Sequence, residues 1–269
     1  MSVITISRGS YSYGKEVAEK VAMRLGYECI AREVLLEASE QFNIPQVKLI
    51  RAFEEAPSLW DRLRQSKERY IAFIEVALLR QFQKDNVVYH GLAGHFFVKG
   101  VSHVLKVRII ADLEERIRVV MERDKISRKE ALRFLEKIDE ERRRWSRHLY
   151  GIDSSDPGLY DLVIHIRKYT ADDAVELITH SLGLKRFETT PDSRRAMDNL
   201  LLAAEAKAVL IDKKPDARVL AQDGVVHVMT KAHREHEESI IREIEGLLSP
   251  VKGVTKVKVH VMPITPFDM

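Results

Sequence analysis

The sequence predicts an α/β fold on a parallel sheet, followed by a smaller α+β unit, and three observations carry that prediction. Short β-branched or apolar runs at 3–6, 86–89 and 104–111 are strand-sized and run into glycine-containing or polar loops. Long stretches between them repeat apolar residues at helical spacing. Beyond Leu184 the pattern changes to helix, hairpin, helix and one alternating strand.

The bulk composition fits such a chain. With 269 residues, 45% hydrophobic and 32% charged, there is material for one large or two ordinary domains. The net charge of +3 does not argue for nucleic acid as a partner. One cysteine, Cys29, excludes an internal disulfide framework and fits a reducing compartment. No run approaches the roughly 18 apolar residues of a membrane span, so a cytoplasmic protein without a transmembrane segment is expected.

The first strand leads at once into Gly9-Ser10-Tyr11-Ser12-Tyr13-Gly14-Lys15. The spacing G-x-x-x-x-G-K is that of a phosphate-binding loop, where backbone N–H groups and a helix N-terminus surround an oxyanion and the lysine reaches terminal phosphates. The Ser or Thr that usually follows and holds Mg²⁺ is replaced by Glu16. Ser7, Ser12 and Asp112 are metal candidates by position only, and no metal ligand is assigned.

The next helix, from Lys15 to Leu25, places Val17, Val21, Ala22 and Leu25 on one face and stops at Gly26. A short strand at 27–30 precedes helices expected at 34–42, 46–55 and 61–84, an all-helical insertion between strands. The strand at 86–89 runs into His90-Gly91, and the strand at 104–111 into Asp112. Ligands of open parallel sheets sit at such carboxyl ends.

Residues 112–149 form a charge-dense helical block that contains Arg116, Arg142 and Arg147. Such a block reads either as a solvated helix pair with i, i+4 ion pairs or as a clamp over the phosphate site. A strand at 160–166 and a helix from a Thr170 cap to Gly183 close this part. The boundaries are a first domain at 1–184, a linker at 185–192 and a second domain at 193–269. The last is an α-β-β-α-β unit of roughly 75 residues, turned at Asp223-Gly224. His233 and His236 stand at an i, i+3 spacing but read as an exposed helix start, while Trp60 and Trp145 read as packing residues.

The order ITISRGSYSYGKEVAEKVAMRLGY, AREVL, VVYHGLAG, then DLEERIRVVMERDKISRKEAL and KIDEERRRWSRHLYGIDSSDPGLYDLVIH resembles the cytidylate kinase-like family of P-loop nucleoside monophosphate kinases. The resemblance covers residues 3–184 and implies a P-loop NTPase three-layer parallel sheet with a helical lid. It implies transfer of the ATP γ-phosphoryl group, with Mg²⁺, to a nucleoside monophosphate, CMP or dCMP above others. The donor loop maps onto Gly9, Ser10, Tyr11, Ser12, Tyr13, Gly14, Lys15 and Glu16, with Lys15 as the phosphate lysine. Lid arginines map onto Arg142, Arg116 and Arg147, and the acceptor side onto Arg32, His90 and Gly91. Phosphoryl transfer asks for this residue set, since it needs positioning and positive charge rather than a nucleophilic side chain.

The chain departs from the family pattern at Tyr11 and Tyr13, where glycines are common, at Ala31, where an acid is, and at Gly91-Leu92-Ala93, which stands for Gly-Arg-Gly. These departures keep a second reading open: a degenerate nucleotide-binding sensor. The segment 191–262 resembles a BON domain, through ARVLAQDGVVHV and GVTKVKV. That likeness implies a phospholipid, small-molecule or protein ligand there; homo-oligomerisation is also left open.

Overall fold

The computed structural model describes residues 2–31, 33–46, 49, 64–91 and 94–263. Five parallel strands, β1 (Val3–Arg8), β2 (Glu28–Ile30), β3 (Val87–His90), β4 (Val104–Ala111) and β5 (Leu162–Ile166), form a sheet in the order β2-β3-β1-β4-β5. Strand periodicity divides their side chains between two cores. Val3, Val87, Tyr89 and Val104 enter one core with helices α2 (Glu33–Phe42), α3 (Arg64–Gln83) and α4 (Gly94–Phe97). Ile4, Ile6, Val88, Leu105, Val107 and Ile109 enter the other with α1 (Gly14–Leu25) and α7 (Ala171–Leu182). The result is the three-layer arrangement the sequence predicts. Apart from Gln46 and Leu49, the helix expected at 46–55 and the start of that expected at 61–84 lie outside the described residues.

Two helices, α5 (Leu113–Asp124) and α6 (Arg128–Tyr150), stand over the carboxyl end of the sheet as a hairpin. Ser127 and Glu130 form a capping box that starts α6. The pair has its own small core of Ile117, Val120, Ala131 and Leu135.

The segment expected to be a linker holds a short 3-10 turn at Lys185–Phe187 and then enters α8 (Pro191–Leu210). Thr190 caps that helix by accepting from the Ser193 N–H at 3.2 Å, and Pro191 supplies its first turn. The helix belongs to both halves of the chain. Met197, Leu201 and Ala204, with Ile211 just beyond, enter the α2–α3 core, whereas Ala206 and Leu210 enter a third core with Val226, Val228, Ile244 and Leu248. Polar ties reinforce the contact, from Arg80 to Glu205 at 2.6 Å and from Gln83 to Asp198 at 2.6 Å. Asp85, only 5% exposed, accepts from Arg194 at 2.8 Å and from Thr189 at 3.2 Å, with His103 at 3.7 Å.

The remaining strands, β6 (Arg218–Gln222), β7 (Val225–Ala232) and β8 (Lys256–Pro263), make a separate sheet with an antiparallel and then a parallel pairing. Asp223 and Gly224, at φ 49° and 83°, form the hairpin turn that their identities predict. Helix α9 (Glu237–Leu248), preceded by a 3-10 turn at Arg234–His236, covers one face. Among the described residues no helix is long and apolar enough to cross a membrane.

Candidate phosphate-binding site

The loop between β1 and α1 is built by close approach. A Cβ on Gly14 would lie 2.6 Å from the Arg8 Cβ, so only glycine fits there. The Gly9 N–H donates to the Ile109 carbonyl at 3.0 Å, and the buried Ser12 hydroxyl donates to Gly9 and Ile109 carbonyls, both at 2.9 Å. These bonds fix the loop on β4. The N-cap residue of α1, Tyr13, makes no side-chain capping bond among the described residues, and an uncapped helix N-terminus of this kind suits an anion.

Tyr11 and Tyr13 take φ 58° and 64°, the left-handed region that glycine enters freely. For a bulky L-residue each costs about 1–2 kcal/mol. Contacts offset that cost. The Tyr11 ring lies 5.9 Å from Phe134 and 4.4 Å from the Arg123 guanidinium, and its hydroxyl accepts from Arg123 at 2.5 Å. Tyr13 donates to the Glu115 carboxylate.

The lid arginines also turn to the loop. Arg116 donates to the Ser10 carbonyl at 2.6 Å and pairs with Asp139 at 2.7 Å, and Arg142 donates to the Arg8 carbonyl at 3.0 Å. Burial, aided by the Arg8 charge, lowers the Arg142 pKa to about 10, which leaves it cationic at neutral pH. Arg147 is elsewhere, 63% exposed and paired with Asp153 at 2.6 Å.

A cleft of about 780 Å³ opens beside the loop, lined by Lys15, Glu33, Leu35, Ile74, His90 and Arg142 among others. Lys15 is 63% exposed, with Glu19 at 3.6 Å as its ion-pair partner. Ala31 and Gly91 also line the cleft, while Arg32, Leu92, Ala93, Trp60 and the Trp145 side chain lie outside the description. Two residues of its wall carry buried polar atoms, Ser10 Oγ and His90 Nδ1, with no hydrogen-bond partner among the described residues. Such atoms are costly unless a ligand or water meets them.

His90 is held neutral: burial first, then the Arg8 charge, lowers its pKa from 6.5 to about 4. Between those values the unfolded chain takes up the proton before the native one, so acid destabilises the fold, by roughly 3 kcal/mol at pH 4. His95, lowered to about 3 chiefly by burial, acts with the same sign. Chemical denaturation at pH 7.5 and pH 4.5 checks this: His90→Asn is expected to lose less stability over the interval than the parent chain.

Behind the loop, a smaller pocket of about 220 Å³ reaches Ser7, His95, Arg108 and Ser154. Arg108 donates to the Ser154 carbonyl at 2.5 Å and to Tyr160 at 3.1 Å, and Tyr160 also meets Ser7 and His95 at 3.1 and 3.2 Å. The sequence reading assigned no role to Arg108 or Arg123. A basic residue inside the apolar run VLKVRIIA was the available signal for Arg108, because a partly buried charge demands partners. Nothing local distinguished Arg123 from the other lid arginines.

Asp112 is engaged by His165 at 2.9 Å and Arg167 at 3.1 Å, and the Ser12 hydroxyl by loop carbonyls. Among the described residues no three His, Cys, Asp or Glu side chains gather around one point.

Fold and loop together define an α/β phosphate-binding-loop protein with a helical lid. The profile of the cytidylate kinase-like family matches residues 3–168, more than half of the 269. The chain belongs to the cytidylate kinase-like family. It is 30% identical over 190 residues to a cytidylate kinase of Archaeoglobus fulgidus, covering 69% of this chain and 97% of that one. It is 28% identical over 185 residues to a cytidylate kinase of Ignicoccus hospitalis, covering 68% and 99%. The crystal structure of an uncharacterized protein from Eubacterium ventriosum shares the fold, with a TM-score of 0.52 at 20% identity over 68% of this chain and 98% of that one. Family and relatives support nucleotide kinase activity.

Proposed function

We propose that the chain transfers the γ-phosphoryl group of ATP to a nucleoside monophosphate of the cytidine type. The observation that carries this reading is a cleft lined by Lys15 and Arg142 whose wall residues Ser10 and His90 have buried polar atoms, Ser10 Oγ and His90 Nδ1, without a partner among the described residues. The uncapped N–H groups of α1 and Lys15 bind the donor phosphates. Arg116 and Arg142 leave their loop carbonyls to neutralise the group in transit, and Arg32 with His90 and Gly91 holds the acceptor. Bound Mg²⁺ would screen the donor phosphates, with most of its shell drawn from phosphate and water because the loop hydroxyl and Asp112 are engaged.

A second reading has its own support. Arg116 and Arg142 are bonded to loop carbonyls, and Ala31 stands where the family carries an acid. On that reading the chain binds nucleotide without turnover and passes occupancy to a BON-like C-terminal unit with its own ligand. ADP release from ATP and Mg²⁺, with CMP, dCMP, UMP, AMP and GMP offered singly to the full chain, decides between them. A rate that depends on CMP or dCMP is expected. Nucleotide binding with no rate for any acceptor sinks the kinase proposal.

A further inference from the structure

We propose that Tyr11 and Tyr13 latch the lid hairpin onto the phosphate loop in the absence of nucleotide, as positioning residues for the lid arginines. A phosphate loop that must turn through the left-handed region twice has no need of side chains at those points, and glycine serves best. Here both positions carry tyrosines, and both side chains leave the loop for the lid.

The two grips differ in kind. Tyr11 is packed into the hydrophobic cluster of the hairpin beside Phe134, and is covered by the Arg123 guanidinium at 4.4 Å. It therefore reaches both α5, through Arg123, and α6, through Phe134. Tyr13 holds α5 alone, through Glu115 in its first turn, and Arg118 completes that carboxylate's shell at 2.5 Å. The same two lid helices also hold the start of the loop, through the bonds from Arg116 to Ser10 and from Arg142 to Arg8.

A lid without such anchors is ordered by the nucleotide it covers, and part of the binding free energy is used for closing it. A latched lid is already ordered, so its arginines stand at the loop before the donor arrives. The loop carbonyls keep the guanidinium groups occupied until phosphate oxygens replace them. The positioning role rests on the phosphoryl-transfer reading proposed above, whereas the latch itself does not.

Amide hydrogen exchange across 113–150 in the full chain, with and without a non-hydrolysable ATP analogue, tests the latch. The parent lid is expected to exchange at nearly the same rate in both conditions. In the double variant Tyr11→Gly, Tyr13→Gly, lid exchange without nucleotide is expected to rise about tenfold and to return on adding the analogue. Glycine relieves the left-handed strain, so the loop is kept. Tyr11→Phe preserves the ring and is expected to lie between the two.

If the chain is a kinase, KM for ATP rises about tenfold in the double variant while kcat changes less, since the closed state becomes only fractionally populated. Lid exchange in the double variant equal to the parent's overturns the proposal. So does a parent lid that becomes protected only when the analogue is added. Both readings come from exchange alone, so an inactive parent would sink the kinase proposal without touching the latch.

Discussion

Lys15→Ala is expected to reduce acceptor-dependent ADP release by at least about a thousandfold and to leave the fold intact. The magnitude follows from the chemistry, because a preorganised cation beside a phosphoryl group in transit has no substitute once solvent is displaced. The intact fold follows from the structure: the side chain is 63% exposed and its one described partner is Glu19, at 3.6 Å on the same helix. An exposed i, i+4 pair contributes little, so the melting temperature should move by no more than about a degree or two. A variant that folds like the parent and still transfers phosphoryl groups would remove Lys15 from the mechanism.

Asp85→Ala is expected to destabilise the protein by about 2–3 kcal/mol, because the carboxylate is buried and hydrogen-bonded while its partner Arg194 is 49% exposed and can be hydrated once the acid is gone. Asp85 is 5% exposed and faces Arg194, Thr189 and His103, so its deletion leaves a guanidinium and an imidazole without their acceptor. The effect should reach both halves of the chain in a single transition, because the residue ties α8 to the α3 end. As a comparison, Glu176→Ala breaks the exposed pair with Arg24 and should cost about 1 kcal/mol or less. Urea unfolding separates the two cases, and an Asp85→Ala midpoint close to that of Glu176→Ala would refute the assignment.

Much of the architecture was legible because strands of buried parallel sheets are short and apolar, and the glycines bounding them are placed by geometry. The run 3–6, the loop from Gly9 to Lys15 and the Gly26 stop could be read directly, since each depends on neighbours in sequence. The Thr189-Thr190-Pro191 stretch was ambiguous for a physical reason: a hydroxyl followed by proline describes a polar connector and also an N-cap with its first-turn proline. The burial of α8 on two sides was hidden as well. A helix that feeds two cores has no clean polar face, so its periodicity names no single partner.

The site was legible to the same depth. The family resemblance mapped Arg116, Arg142 and Arg147 onto the lid, and of these Arg116 and Arg142 reach the Ser10 and Arg8 carbonyls. What Tyr11 and Tyr13 reach was not legible, because their partners lie more than a hundred positions away on the lid. Arg147 shows the converse: five positions beyond Arg142 on a regular helix the side chain is turned by about 140°, away from the loop.

The sharing of α8 also bears on how the chain is made. Synthesis proceeds from the N-terminus, so the sheet, the lid and α3 have all emerged while the residues that finish their core, Met197, Leu201, Ala204 and Ile211, are still to come. Until then the apolar side of α3 that meets α8 has no cover. A nascent chain paused shortly after the family-matching region, at 168, would present that surface to chaperones or to its neighbours on a polysome. The last third of this protein therefore completes the first two-thirds during translation, whatever else it does afterwards.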